Sequence, residues 1–416
     1  MDLTRRTFLG AMGALTLLPS SAARAASGDA RNLIIVFARG GWDPTYVFDA
    51  KPDSPFADTG VGDWAAFGND ALWLDPGRPS VTDFFDRYGA LTSVVNGMNV
   101  PSVAHPGCMQ RVLTGSRDKA RPDIGAIIGH EIGSDSPMPY LDVGGGARPG
   151  IYGADLGYVG RNNQLSGLVL ESEASAPAVR RDWERYFHSA DEGELIRQHI
   201  AARTARNEAS ALGANATLRD AFLLGLDRSH LLPDYADFFR NIGGGRTFAD
   251  QARVAAEAIA IGLSRTAFIE ADVSFDTHTG NTDQIGLYEE TFAGLLTLMD
   301  LLETTPSFQG GNLVDDTVVL VLSEMGRTPV LNSDSGKDHW PFTSCVVTGP
   351  GVKGHQVVGA TSETLVSEAV DHDTGRISAS GAPLQSESVL AGIAELFGVS
   401  PDAYFPDAEV FRAFHA

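Results

Sequence analysis

Two runs of this chain, Asn32-Leu33-Ile34-Ile35-Val36-Phe37 and Thr317-Val318-Val319-Leu320-Val321-Leu322, are apolar at consecutive positions after their first residue. A strand with one face in water alternates apolar and polar side chains, because neighbouring side chains point to opposite faces. A strand without alternation must be covered on both faces, as in a parallel sheet flanked by helices. Both runs also end alike, in an abrupt switch to small and charged residues. The first passes into Ala38-Arg39-Gly40-Gly41-Trp42-Asp43, the second into Ser323-Glu324-Met325-Gly326-Arg327. Open α/β sheets place their sites in loops at the carboxyl ends of the strands. The two runs therefore predict the fold class and the edge on which chemistry gathers.

The segments between them fit an α/β alternation. Val81 to Tyr88 reads as a helix with Ser80 as its cap, and Leu91 to Val95 as a short strand. Residues 138–165, rich in Gly and Pro, read as loops, and 172–262 as a charged helical insertion. Val273-Ser274-Phe275 reads as the end of a strand leading into Asp276-Thr277-His278. Helical spacing returns over 282–304, where Ile285, Leu287, Phe292, Leu295, Leu296, Met299 and Leu302 recur. Cys345 to Thr348 is a further strand, and a helix over 388–397 closes the chain. The expectation is a three-layer α/β sandwich with a mostly parallel central sheet, occupying 30–416.

The first 25 residues read as an export leader. Thr4-Arg5-Arg6-Thr7-Phe8-Leu9 is a twin-arginine pattern, an apolar stretch follows, and Ala23-Arg24-Ala25 offers a cleavage site. That stretch is too short to span a bilayer. The expected setting is the periplasm or the exterior, with the twin-arginine translocase as partner during export and no integral membrane segment afterwards. The formal net charge is −22, which argues against nucleic acid as a partner. Cys108 and Cys345 are the only two cysteines, enough for one disulfide but not for a disulfide framework.

Candidate ligands recur just beyond the predicted strands: Asp43, then Asp276 and His278, then Glu324, then Asp338 and His339. Carboxylates mixed with imidazoles suit a divalent metal ion, with zinc, manganese and calcium all open. Arg111 and Arg327 are cations suited to an oxyanion, since guanidinium contacts phosphate or sulfate with two parallel hydrogen bonds.

Four motifs, RGGWD (39–43), FDTH (275–278), SEMGR (323–327) and KDHW (337–340), resemble the exported bacterial family catalogued as domain of unknown function 1501. That family is similar to a remote branch of the alkaline phosphatase and sulfatase superfamily. The resemblance implies an alkaline phosphatase-like sandwich with metal held by Asp43, Asp276, His278 and His339. The superfamily carries an Asp-His pair where this chain has Glu324-Met325, so one imidazole is missing from the pattern. The resemblance also bears on His105-Pro106-Gly107-Cys108-Met109-Gln110-Arg111-Val112-Leu113-Thr114-Gly115. Superfamily nucleophiles sit nine residues before the Thr of a Thr-Gly pair, and that count from Thr114 arrives at His105. His105 is then a nucleophile, a ligand replacing the missing imidazole, or a helix cap. Cys108 reads as a small core residue.

These readings lead to a metal-dependent hydrolase of a small anionic ester, phosphate or sulfate, of glycan or other origin, that uses a metal-activated water. The alternative is a non-catalytic exported protein that keeps the fold and binds a metal or a ligand.

Overall fold

The computed structural model describes residues 31–159, 194–196, 198–200, 202–203, 214–242 and 247–416. The expected leader over 1–25 lies outside them, as does much of 172–213.

Strand β1 (Asn32–Phe37) lies at the centre of an eight-stranded sheet. A small hairpin, β2 (Asp63–Phe67) and β3 (Asp70–Leu74), follows it, then helix α1 (Pro79–Tyr88) and strand β4 (Thr92–Asn99). Helices α2 (His105–Thr114) and α3 (Ile124–Ile132) come next, then two short strands, β5 (Tyr140–Asp142) and β6 (Leu156–Tyr158). Helices α4 (Ala214–Ser229), α5 (Ala236–Asn241) and α6 (Phe248–Ala260) precede β7 (Thr266–Glu270). Helix α7 (Gln284–Thr304) leads to β8 (Thr317–Leu322) and to a hairpin of β9 (Gly326–Arg327) and β10 (His339–Trp340). Strands β11 (Phe342–Thr348) and β12 (Gln356–Val358), a pair of two-residue strands β13 (Ala369–Val370) and β14 (Ala382–Pro383), and helix α8 (Ser386–Leu396) complete the order.

The main sheet runs β12-β4-β11-β8-β1-β7-β5-β6. Only β11 is antiparallel to its neighbours; β1 pairs in parallel with both β7 and β8. The two unbroken apolar runs are thus adjacent central strands. Their side chains divide between two cores as the strand period requires. Ile34, Val36, Val319 and Val321 join the core under α1, α6 and α7, with Phe84, Phe292 and Ile259. Leu33, Ile35, Phe37, Val318, Leu320 and Leu322 join the opposite core under α2, α3 and α8, with Val112, Ile127 and Ile393. This is the expected three-layer sandwich.

Local differences have identifiable causes. The strand expected at Val273–Phe275 lies earlier, at Thr266–Glu270, because Asp272 takes a left-handed backbone (φ 57°) that ends extended geometry. Residues 138–165, read as loops, contain β5 and β6 at the sheet edge. Ser80 does not cap α1. Its N–H and hydroxyl instead donate to the Glu289 carboxylate of α7, at 2.9 and 2.6 Å. The described part of 172–262 is helical, and α6 lies in the sandwich against β7 and α7.

Candidate functional site

The loops after β1, β7 and β8 come together with the start of α2 and the β9–β10 hairpin. The β1 loop passes directly under the β7 loop, with the Phe275 N–H donating to the Arg39 carbonyl at 2.8 Å. Gly40 makes this crossing possible. Its φ is +106°, and a β-carbon there would lie 2.6 Å from the backbone nitrogens of Phe275 and Asp276. Arg327, fully buried, clamps the same loops. Its Nε donates to the Gly41 carbonyl (2.7 Å), Nη1 to the Lys337 carbonyl (3.0 Å), and Nη2 to the Gly40 carbonyl and to Asp276 Oδ1 (2.7 Å).

Four side chains converge above this clamp. Nε2 of His105 lies 3.4 Å from Asp276 Oδ2, and Nε2 of His339 lies 3.2 Å from Asp276 Oδ1. Nε2 of His278 lies 3.2 Å from Asp276 Oδ1 and 3.0 Å from Nε2 of His339. His105, Asp276 and His339 each offer an atom within 4.8 Å of the other two, a spacing able to hold a metal ion. Each is partly open to solvent, with His278 side chain exposure at 45% and His339 at 19%.

The far side of every ring fixes its tautomer. His339 Nδ1 lies 2.7 Å from the Val103 carbonyl, His105 Nδ1 2.8 Å from Glu324 Oε1, and His278 Nδ1 3.1 Å from Asp338 Oδ1. A carbonyl and an ionised carboxylate only accept, so each Nδ1 carries a proton. Whenever such a ring is neutral, its Nε2 is the free lone pair that a metal ligand needs. At 3.0 Å the Nε2 atoms of His278 and His339 need a cation between or beside them, either a proton on one ring, which His339 can direct at Asp276, or a metal ion in its place. Imidazoles anchored through Nδ1 by an oxygen are the usual form of metal-ligating histidine. The donor set therefore fits a divalent metal ion.

The charge environment agrees. Burial alone raises a carboxyl pKa, but at Asp276 hydrogen bonds from Arg327 and His339 outweigh it and bring the value down to about 2. His105 titrates higher than an ordinary histidine, chiefly through its hydrogen bond to Glu324. The hydrogen bond from His278 holds Asp338 below the usual carboxylate range.

Not every residue expected at the site joins the group. Asp43 is fully buried, but its carboxylate faces Lys337 Nζ at 2.7 Å and accepts from Asn281 and Thr45. Glu324 and Asp338, expected as ligands, stand behind His105 and His278 rather than beside the other Nε2 atoms. Arg327 holds backbone carbonyls and Asp276, so it is not placed as a free grip for an oxyanion. Arg111, in the last turn of α2, enters none of these contacts. His105 is not a cap, because Ala104 occupies the cap position of α2. Cys108 and Cys345 are both free thiols and fully buried.

Three residues of this arrangement carried no assigned role in the sequence: Lys337, Val103 and Asn281. Lys337 stood inside the KDHW motif, but nothing local signals that a lysine is buried. Val103 contributes only a carbonyl, which no side-chain pattern can report.

The sequence model of the family described as "Protein of unknown function (DUF1501)" matches residues 30–374. No curated protein matches the chain. Among solved structures, it is similar to a protein in the alkaline phosphatase superfamily from Vibrio parahaemolyticus (11% identity, 90% of this chain and 67% of that one, TM-score 0.40). It is also similar to the C-terminal periplasmic domain of EcEptC from Escherichia coli (8% identity, 94% and 89%, TM-score 0.42). A third is the phosphonate monoester hydrolase SpPMH from Silicibacter pomeroyi (11% identity, 92% and 76%, TM-score 0.39). With the family match spanning most of its length, the chain belongs to the DUF1501 family.

Proposed function

We propose that the chain is an exported, metal-dependent hydrolase of small phosphate or sulfate esters, acting in the periplasm. The observation that carries this reading is the convergence of three Nδ1-anchored imidazoles on the Asp276 carboxylate. A divalent ion bound there supplies Lewis acidity and a water of lowered pKa. The chain's own residues decide how that water is used. His105, at the superfamily's nucleophile position, is turned toward Asp276 with its Nδ1 tied to Glu324, so it serves as a ligand. Cys108 is sealed in the core and its thiol is pushed up by burial, which removes it as a nucleophile. With no side chain placed to form a covalent ester, a water activated by a bound ion would be the attacking group. Arg327 fixes Asp276 and the loop under it, so the ligand atoms are held in place before substrate arrives.

The export assignment rests on the twin-arginine leader in the sequence. Among the described residues, no helix is long and apolar enough to cross a membrane.

The experiment is a turnover assay on chromogenic phosphate monoesters, phosphate diesters and sulfate esters, with protein stripped by chelator and then reloaded with zinc, manganese or calcium chloride. Turnover is expected with one or more of the metals and is expected to vanish on renewed chelation. Absence of turnover over the whole panel, by protein that binds metal, overturns the hydrolase reading.

That outcome would instead favour the second reading, a non-catalytic binding protein. One observation speaks for it. Arg327 and Lys337, the cations of the SEMGR and KDHW motifs, are fully buried and committed to protein oxygens, which leaves an anionic ester to the metal and the imidazoles.

A further inference from the structure

We infer that this site takes a single metal ion, and that the ammonium of Lys337 permanently occupies the place of a second cation. The inference rests on the metal-binding reading above and deepens it.

The argument turns on which oxygens have lone pairs to spare. A carboxylate offers about four acceptor positions across two oxygens. At Asp43, Oδ1 accepts from the Thr45 N–H at 3.1 Å and the Thr45 hydroxyl at 2.8 Å. Oδ2 faces Lys337 Nζ at 2.7 Å and accepts from Asn281 Nδ2 at 2.8 Å. All four positions are filled, and the side chains of Asp43 and Lys337 have no solvent exposure. A metal on Asp43 would need to displace Lys337 or sit against its charge in a buried setting, where like charges repel strongly.

Lys337 is equally committed. An ammonium has three donors. Nζ faces Asp43 Oδ2 at 2.7 Å, donates to the Asp58 carbonyl at 2.7 Å, and reaches the Thr45 hydroxyl at 3.4 Å. Asn281, which holds Asp43, accepts in turn from the Thr277 hydroxyl at 2.7 Å, next to Asp276 and His278. The ion pair is therefore built into the base of the same loop that carries two of the proposed ligands.

Glu324, the other carboxylate expected at a second site, is also engaged at both oxygens, by three donors with the Gly40 N–H shared between them. Oε1 accepts from the Gly40 N–H at 2.9 Å and faces His105 Nδ1 at 2.8 Å. Oε2 accepts from the Gly40 N–H at 3.1 Å and from the Ser323 hydroxyl at 3.2 Å. Its side chain is 2% exposed. The three Nε2 atoms present the opposite situation: each lies within 3.4 Å of an Asp276 oxygen, and those of His278 and His339 lie 3.0 Å from each other. Among the described residues, one place in this region is built for an added cation, with His105, Asp276 and His339 spaced as its donors and His278 beside them. The imidazole absent after Glu324 is supplied by His105, and it serves this one ion.

The test is metal stoichiometry, which reads out independently of turnover. Chelator-stripped full-length protein is titrated with zinc chloride and manganese chloride by calorimetry, and dialysed samples are counted by inductively coupled plasma mass spectrometry. One equivalent per chain is expected. His105→Ala and His278→Ala are expected to weaken binding by a factor of about 10 or more, and Asp43→Asn to keep one equivalent. Two tight equivalents in the unaltered protein overturn the inference, as does the loss of one equivalent in Asp43→Asn, and so does no binding at all. The wild-type count decides even if a variant fails to fold. One equivalent with no turnover leaves the single-metal inference standing and removes the hydrolase reading; two equivalents with turnover does the reverse.

Discussion

His105 stands at the first position of α2, and three roles were open to it from the sequence: nucleophile, ligand or cap. The neighbour of its Nδ1 supports the ligand role proposed above. With Glu324 accepting that proton at 2.8 Å, Nε2 is left as the donor atom and faces Asp276. Spacing from Thr114 made the position legible, but its role depends on a glutamate more than two hundred residues away. The same holds for Asp43. Its place after a central strand suggested a ligand, and the fold sets its carboxylate 2.7 Å from the buried ammonium of Lys337. Two predictions belong here. Glu324→Gln removes the charge behind His105 while keeping an acceptor, and zinc affinity should fall about 10- to 100-fold, as for other partners behind metal-ligating histidines. Competition against a chromophoric chelator measures it, and unchanged affinity would show that Glu324 does not orient the ligand. Lys337→Met leaves a buried carboxylate without its counter-charge and should cost about 3–5 kcal/mol of stability, read from urea denaturation.

At the scale of elements, the site depends on how one loop crosses another. The β7 loop can pass over the β1 loop only because Gly40 has no side chain and a positive φ. Gly40→Ala should therefore destabilise the fold by about 1–3 kcal/mol. It should also weaken zinc binding, because the backbone it pushes carries Asp276. Destabilisation with undiminished zinc affinity would mean that the crossing does not position the site. The strands and long helices were legible, since burial on two faces and helical spacing are local patterns. The boundary at β7 was not. Val273 and Phe275 look like strand residues, but the left-handed Asp272 has already ended the strand. The cap of α1 was hidden for a related reason. A serine in the right place suggested a cap from within, whereas the group that meets the helix start is Glu289 on a neighbouring helix.

For the molecule as a whole, the two unbroken runs carried most of the information, because a chain with two such strands must cover both faces of its sheet. What they could not report is the ionic content of the interior. Asp123 is fully buried, caps α3 through the Ala126 N–H, and accepts from the Tyr140 hydroxyl. Burial pushes its pKa up to about 7. Because the folded value exceeds the unfolded one, the folded state binds the proton more tightly across that interval. The associated stability is complete below the ordinary carboxyl value of 3.8 and is lost as pH rises through about 7. Urea midpoints should thus decline between pH 4 and 8, and Asp123→Asn should flatten that decline. An unaltered slope would assign it to other groups. Cys108 on α2 and Cys345 on β11 lie in the same core layer, each as a free and sealed thiol. No step of folding waits for an oxidant, so the chain can reach the same shape on the reducing side of a membrane as on the oxidising side, and it needs no disulfide-forming catalyst on either.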